Sequence, residues 1–277
     1  MIYLEYFPQN ELSRFVDKIW YCKADNLTRG NLTIPLPHHE LVFNFSEDYK
    51  IRKAGENEFS IQNPVAWING LQSKAYYSYS SGKHEMLGVL FKANGLRAFI
   101  NFDAVELSQN FIHADLVFGN TLSKLIDQLQ NTSAAGSKVL LAEKFLLNNL
   151  KDFTSPKYLS YSLQQLSGTI GAKGSISSIC NTASVSNKSL IQAYRKHVGI
   201  SPVKYSHLQA LNKALILLAN EPKQSLTKLA YSLNFFDQSH FNYVFKSLTS
   251  LIPSEYVAHI QNNNVDVNYP NFISLPG

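Results

Sequence analysis

The chain has 277 residues, of which 45% are apolar and only 16% are charged. That is enough apolar material for a sizeable core, too little charge for a long disordered polyelectrolyte, and at about 100–200 residues per domain it suits two domains. The formal net charge of +5 favours phosphate or another anionic surface only mildly. Cys22 and Cys180 are far apart and have neither disulfide-framework nor zinc spacing, which fits a reducing compartment. The opening stretch lacks a basic segment followed by an apolar one. The longest apolar stretches, such as Ala214–Ala219, fall far short of the ~20 residues of a membrane span. The expectation is a cytoplasmic protein with no membrane contact.

Residues 1–92 read mostly as β-structure. Lys18–Lys23 is rich in aromatics, and Glu40–Phe45 alternates apolar with other residues. Ala75–Tyr79 and Met86–Phe91 are two further strands, with Ser80-Ser81-Gly82-Lys83 as the turn between them. Short strands at fairly regular spacing predict a sandwich or barrel. After Ala93-Asn94-Gly95 the period changes. Leu116–Leu129 and Val139–Leu150 place apolar residues at helical intervals: Leu122, Leu125, Ile126 and Leu129, then Leu140, Leu141, Phe145 and Leu147. These helices either pack on the β unit or form a dimer interface.

His38-His39-Glu40 is the one dense cluster of metal-ligand types. Neighbours on a regular strand point to opposite faces, so the two histidines are read as surface or hydrogen-bonded side chains. No HExxH, nucleophile elbow or phosphate-cradling glycine loop occurs. No catalytic residue, metal site or cofactor is therefore expected. Tyr76-Tyr77-Ser78-Tyr79 suits strand packing better than an apolar ligand cavity.

Ser155-Pro156 is a turn-forming pair that divides the chain into 1–155 and 156–277. The first part carries 15 Lys+Arg against 16 Asp+Glu, a net −1; the second carries 10 against 4, a net +6. The basic excess thus belongs to the second part, as it does where nucleic acid is bound.

That part repeats itself. Ile176–Cys180, Leu190, Tyr194 and Pro202 recur as Leu226–Ala230, Phe241, Phe245 and Pro253. The offset is 50 at Cys180 and 51 from Leu190 onward, so one extra residue falls in the second turn. Each copy reads as a short helix, a tight turn and a longer helix with a polar N-cap, Ser186 or Asp237. Asn234 begins the second turn, where Asn tolerates a positive φ. Between the copies, Pro202–Ala219 reads as one long helix with Tyr205, Leu208, Leu211, Leu215 and Leu218 on its apolar face. The tail Gln261–Gly277 is polar and predicts little regular structure.

A recognition helix enters the major groove and meets base edges. On the first copy the candidates are Asn187, Lys188, Gln192, Arg195 and Lys196. On the second they are Gln238, Ser239, Asn242, Tyr243 and Lys246. Asn and Gln can read adenine, and Lys and Arg can reach guanine or phosphate.

At these residues the sequence resembles the AraC/XylS family of transcriptional regulators, over about residues 170–260. Asn234-Phe-Phe-Asp-Gln-Ser-His-Phe241, Phe245-Lys246, Ile252-Pro253 and Tyr256 match the family signature, and Arg195, Gly199–Pro202 and Tyr205 match its first repeat. Less specifically, Glu40–Asn44, Asn69-Gly70 and Gly88–Phe91 are similar to a sensor domain that precedes this module in some members. Asn234 and Ser250 stand where the family carries glycine. Gln192, Ala193 and Ala210 stand where it commonly carries arginine. These departures imply base readout that leans on polar contacts more than on phosphate charge, with a shallower salt dependence.

The resemblance implies an α+β two-domain protein. Residues 1–155 would form a β-barrel or sandwich-like sensor unit followed by helices. Residues 156–277 would form an all-α DNA-binding domain, with helix-turn-helix subdomains at about 170–202 and 222–260 joined by a linker helix. It would bind double-stranded promoter or operator DNA, under the control of a small-molecule effector or of homodimerisation, with RNA polymerase as a further partner. Two rival readings stand beside it: a ligand-binding or protein-interaction module whose DNA binding has decayed, and an enzyme using His38 or His39 with Glu40.

Overall fold

The computed structural model describes residues 2–167 and 175–275. Its strands are β1 (Ile2–Tyr6), β2 (Val16–Ala24), β3 (Arg29–Thr33), β4 (Glu40–Asn44), β5 (Asp48–Lys53), β6 (Ile61–Gln62), β7 (Ala66–Asn69), β8 (Tyr76–Ser81), β9 (His84–Phe91), β10 (Phe111–His113) and β11 (Phe272–Ser274). The helices are α1 (Asp115–Phe118), α2 (Asn120–Gln130), α3 (Ala135–Asn149), α4 (Lys157–Ser167), α5 (Ile176–Thr182), α6 (Asn187–His197), α7 (Pro202–Asn220), α8 (Leu226–Ser232), α9 (Gln238–Thr249) and α10 (Pro253–Gln261).

Two antiparallel sheets form the N-terminal part, in the orders β1-β2-β9-β4-β7-β10 and β11-β3-β8-β5-β6. This is a sandwich-like pair, not a closed barrel. Alternation along the strands of the first sheet sorts its side chains. Ile19, Tyr21, Leu41, Phe43, Leu87 and Val89 pack under Leu122, Leu125, Val139 and Phe145 of α2 and α3. Their neighbours Trp20, Val42, Trp67 and Met86 turn the other way, toward Ile51 and Ile61 of the second sheet. Gly88 is required by a close approach: a Cβ there would lie 2.2 Å from the Trp20 ring.

The turn at Gly82 exists, with φ +78°, but it is not a hairpin. β8 pairs with β3 and β5, whereas β9 pairs with β2 and β4. The chain changes sheets there, which local residue types do not reveal. The helices after residue 115 pack on the sheet. The run 116–129 is broken at Gly119, φ +58°. The face of α3 is turned from the expected one: Val139, Ala142, Phe145 and Leu146 are buried while Leu140 is 58% exposed.

The tail also departs from expectation. β11 pairs with β3, Phe272 opposite Thr33 and Ser274 opposite Asn31, and Ile273 is fully buried. A strand of three residues is too short to show a period, and the sheet edge that recruits it lies some 240 residues upstream. Leu32, Ile34, Leu71 and Ala75 share one core with the C-terminal helices, where Tyr194, Leu215, Phe241 and Tyr256 are buried. Among the described residues, no helix is long and apolar enough to cross a membrane.

Candidate nucleic-acid interface

The two repeats are built alike. Ser175 and Ser225 cap α5 and α8; Ser186 and Asp237 cap α6 and α9, accepting from Ser189 N at 3.0 Å and from His240 N at 2.7 Å. In each turn the same backbone bond recurs, Val185 N to Cys180 O and Phe235 N to Ala230 O, both 3.0 Å. Ser184 and Asn234 occupy the same position with φ +53° and +64°, so Asn234 does adopt the conformation expected of it. The match holds through Val185 and Phe235 and breaks before the caps Ser186 and Asp237, which identifies the inserted residue as Phe236. It is expelled from the turn and 85% exposed.

The linker α7 starts with Pro202 behind the N-cap Ser201. Tyr205, Leu208, Leu211, Leu215 and Leu218 are all buried, as the apolar face requires. His207 of α7 lies over Phe235 and His240, tying the linker to the second repeat. Burial, reinforced by the neighbouring His240, holds the His207 pKa below the usual histidine value. Residues 170–174 of the expected first subdomain lie outside the described residues.

On α6, Asn187, Lys188, Gln192, Arg195 and Lys196 are all exposed, together with Ile191. They follow one stripe of the helix. Ala193 faces the core and is only 5% exposed; Ala193 is therefore a packing residue, and no arginine could be accommodated there without leaving the core. On α9, Ser239, Tyr243 and Lys246 are exposed, Tyr243 to 74%. Gln238 and Asn242 are half-buried. The Thr227 hydroxyl donates to Gln238 Oε1 at 2.7 Å, and Asn242 Oδ1 is occluded without a hydrogen-bond partner. Sequence spacing placed both on the outer face but could not show these restraints.

The opposite ends of both recognition helices dock onto the β unit. His39 Nε2 donates to Val198 O at 2.9 Å and Ser108 Oγ to Gly199 O at 2.6 Å, just past α6. Ala75 N donates to Leu248 O at 2.8 Å on α9. These donors meet carbonyls at helix C-termini, where the backbone dipole is negative. His39 is fully buried and burial lowers its pKa to about 4, so it is neutral and carries its proton on Nε2. His197 packs against Phe153, with its pKa also lowered by burial and by Arg97. Sequence reading missed this contact. A buried histidine just ahead of a strand was its one local signal.

The cluster His38-His39-Glu40 does not converge. His38 Nδ1 lies 3.1 Å from Phe91 O and His39 reaches the C-terminal half. Glu40 turns between the sheets, where Trp20 Nε1 and Asn69 Nδ2 donate to its carboxylate at 2.7 and 3.0 Å. Burial raises its pKa. Among the described residues no group of three His, Cys, Asp or Glu could hold a metal ion. Tyr76 packs edge-on against Phe111, and Arg52 lies over Tyr77, so the tyrosine run serves strand packing.

Comparison with known proteins gives two family matches. Residues 179–259 match the model described as "Helix-turn-helix domain", and residues 4–113 the one described as "Domain of unknown function (DUF6597)". A protein of Haemophilus influenzae named "Uncharacterized HTH-type transcriptional regulator" is 30% identical over 81 residues, 29% of this chain and 27% of that protein. The "Msm operon regulatory protein" of Streptococcus mutans is 26% identical over 125 residues, 44% of this chain and 45% of that protein. The chain thus spans less than half the length of either. Among solved structures, ToxT from Vibrio cholerae is 12% identical with a TM-score of 0.43, over 93% of this chain and 98% of that one. An AraC-type regulator from Chromobacterium violaceum is 22% identical with a TM-score of 0.34, over 37% of this chain and 91% of that one.

Proposed function

We propose that the protein is a sequence-specific DNA-binding transcription regulator without enzymatic activity, acting in the cytoplasm; the helix-turn-helix match over residues 179–259 supports this reading. The observation that carries the reading is the orientation of the repeats. Both recognition helices are pinned by their C-terminal ends, leaving exposed the outer stripe of α6, from Asn187 to Lys196, and Ser239, Tyr243 and Lys246 on α9. The same arrangement argues against decayed DNA binding.

Residues 1–155 serve as the regulatory unit and 156–277 as the DNA-binding unit, with residues 265–275 returning to the N-terminal sheet. Lys188 and Gln192 read bases with support from Asn187, and Arg195, Lys196 and Lys246 hold phosphates. On α9, Ser239 and Tyr243 approach bases directly, whereas Gln238 and Asn242 first give up their present packing. Apart from Lys188, the readers are amides, hydroxyls and apolar groups, including Ile191. Amides suit adenine and apolar groups suit the thymine methyl, so the operator is rich in A·T pairs. A small-molecule effector, a second copy of the chain and RNA polymerase are the further partners of this reading. The effector or dimer biases DNA affinity through the contacts of His39, Ser108 and Ala75, a coupling of typically ~1–3 kcal/mol.

Fluorescence anisotropy with a library of genomic fragments tests the proposal. The expected result is saturable binding to a small A·T-rich subset. Binding that never exceeds the nonspecific background at low salt would sink it.

A further inference from the structure

A cleft of about 560 Å³ lies between the α2–α3 loop and the ends of β2, β4 and β9. All of its lining residues belong to the N-terminal half. Its volume is within the ~300–1,000 Å³ of small-molecule sites.

The charge inside it is unbalanced. Lys23, Lys83 and Lys138 line the cleft with one carboxylate, Glu85. Lys138 Nζ and the Tyr21 hydroxyl donate to Glu85 Oε1 at 2.7 and 3.0 Å. Glu85 Oε2 lies 3.2 Å from Lys83 Nζ and 3.9 Å from Lys23 Nζ. One carboxylate facing three ammonium groups leaves two positive charges in excess, within a half of the chain whose net charge is −1. The Lys138 side chain is 4% exposed and its ammonium stands 4.4 Å over the Phe45 ring. Glu85 pairs closely with this buried cation, so the two outer lysines, which share its other oxygen, are the ones placed to meet a ligand. The lysines hold the Glu85 pKa down at about 2, which keeps this arrangement ionised at neutral pH. Gln130 and Ser133 are exposed on the cleft wall. The N-cap of α3, Ala134, offers no side-chain cap, so the first-turn amides beside the cleft lack a side-chain acceptor.

We infer that this cleft is a binding site for a compact oxyanion, a small molecule bearing a carboxylate or a phosphate. Its anionic group is held by Lys23 and Lys83, Lys138 stays with Glu85, and Gln130 and Ser133 contact the uncharged remainder. The site stands whether or not the chain binds DNA, and its test uses none.

Calorimetric titration of the full chain with inorganic phosphate and with citrate, at ionic strength held constant by sodium chloride, tests it. Saturable binding of at least one is expected, and the two titrations separate a phosphate ligand from a carboxylate one. The double variant Lys23→Gln/Lys83→Gln spares the Glu85–Lys138 pair. It should keep the thermal midpoint measured in chloride alone while binding at least about tenfold more weakly. Removing the same charge from two exposed helix lysines outside the cleft, with Lys124→Gln/Lys144→Gln, should leave the affinity unchanged. No saturable binding of either anion overturns the inference. So does undiminished binding by the first variant, or an equal loss in the second.

Discussion

The two helix-turn-helix repeats place a residue with positive φ just past each recognition helix: Gly199 at +98° and Ser250 at +67°. A Cβ on Gly199 would lie 2.6 Å from Ser108 Oγ and 2.8 Å from Ala104 O of the β unit, whereas Ser250 is exposed. What compels the glycine in the first repeat is the close approach of the other half of the molecule, because the second repeat keeps the same φ region with a side chain. The outer faces differ as well. α6 offers Lys188, Arg195 and Lys196 beside free amides, while the second repeat offers Phe236 and Tyr243 and restrains its amides. One backbone plan thus carries a charged, adaptable reader and an aromatic, constrained one.

Four experiments would test how far the two repeats differ. The equivalent core positions Leu190 and Phe241 are 0% and 1% exposed. Phe241→Ala should cost about 3–5 kcal/mol and Leu190→Ala about 2–5, read by urea denaturation. Similar midpoint shifts from both would mean that the two repeats unfold as one body around their shared core. Loss of only one repeat would separate them.

Acid comes next. His39 titrates at about 4 when folded against ~6.5 unfolded. The unfolded chain binds the proton first, so stability should fall as pH drops from about 6.5 toward 4, by at most about 3 kcal/mol. His39→Gln should flatten that part of the pH profile of the denaturation midpoint. An unaltered profile would assign the loss to other groups, such as His197 or His207.

DNA readout follows in size. Gln192→Ala should cost about 1–3 kcal/mol at an A·T position of the operator. Lys196→Gln should weaken all sequences alike and reduce the salt slope by about 0.9 for one phosphate. If α9 variants such as Tyr243→Ala altered the salt slope and α6 variants did not, the division between repeats would be reversed. The last contrast concerns the turns, where one of the two substitutions has the smallest effect. Ser250→Gly should stabilise by about 0.5–1 kcal/mol by relieving the left-handed conformation, while Gly199→Ser should destabilise strongly, because the β unit occupies the space. Thermal unfolding of the pair measures the contrast directly.

Much of the C-terminal half was legible before its structure. The repeat offsets, the caps Ser186 and Asp237 and the apolar face of α7 are local patterns, and local backbone chemistry decides them. Even the extra turn residue could be counted, though its identity as Phe236 needed the paired backbone bonds. The β unit was read less completely. Lys18–Lys23 and Glu40–Phe45 alternate clearly, but β1, β3, β5 and β7 lack an equally clean period, and strand pairing joins residues far apart in the chain.

The helix-turn-helix repeats and the linker between them are written in the chain's local patterns, because each depends on residues within a few turns of one another, and the uneven division of charge follows from a count along the chain. Only the tertiary structure decided which sheet β8 and β9 join, that residues 272–274 complete the second sheet, that His39 grips the end of α6, and that three lysines converge on Glu85. Those outcomes depend on which distant surfaces exclude water together, and burial of that kind leaves no local period in the chain.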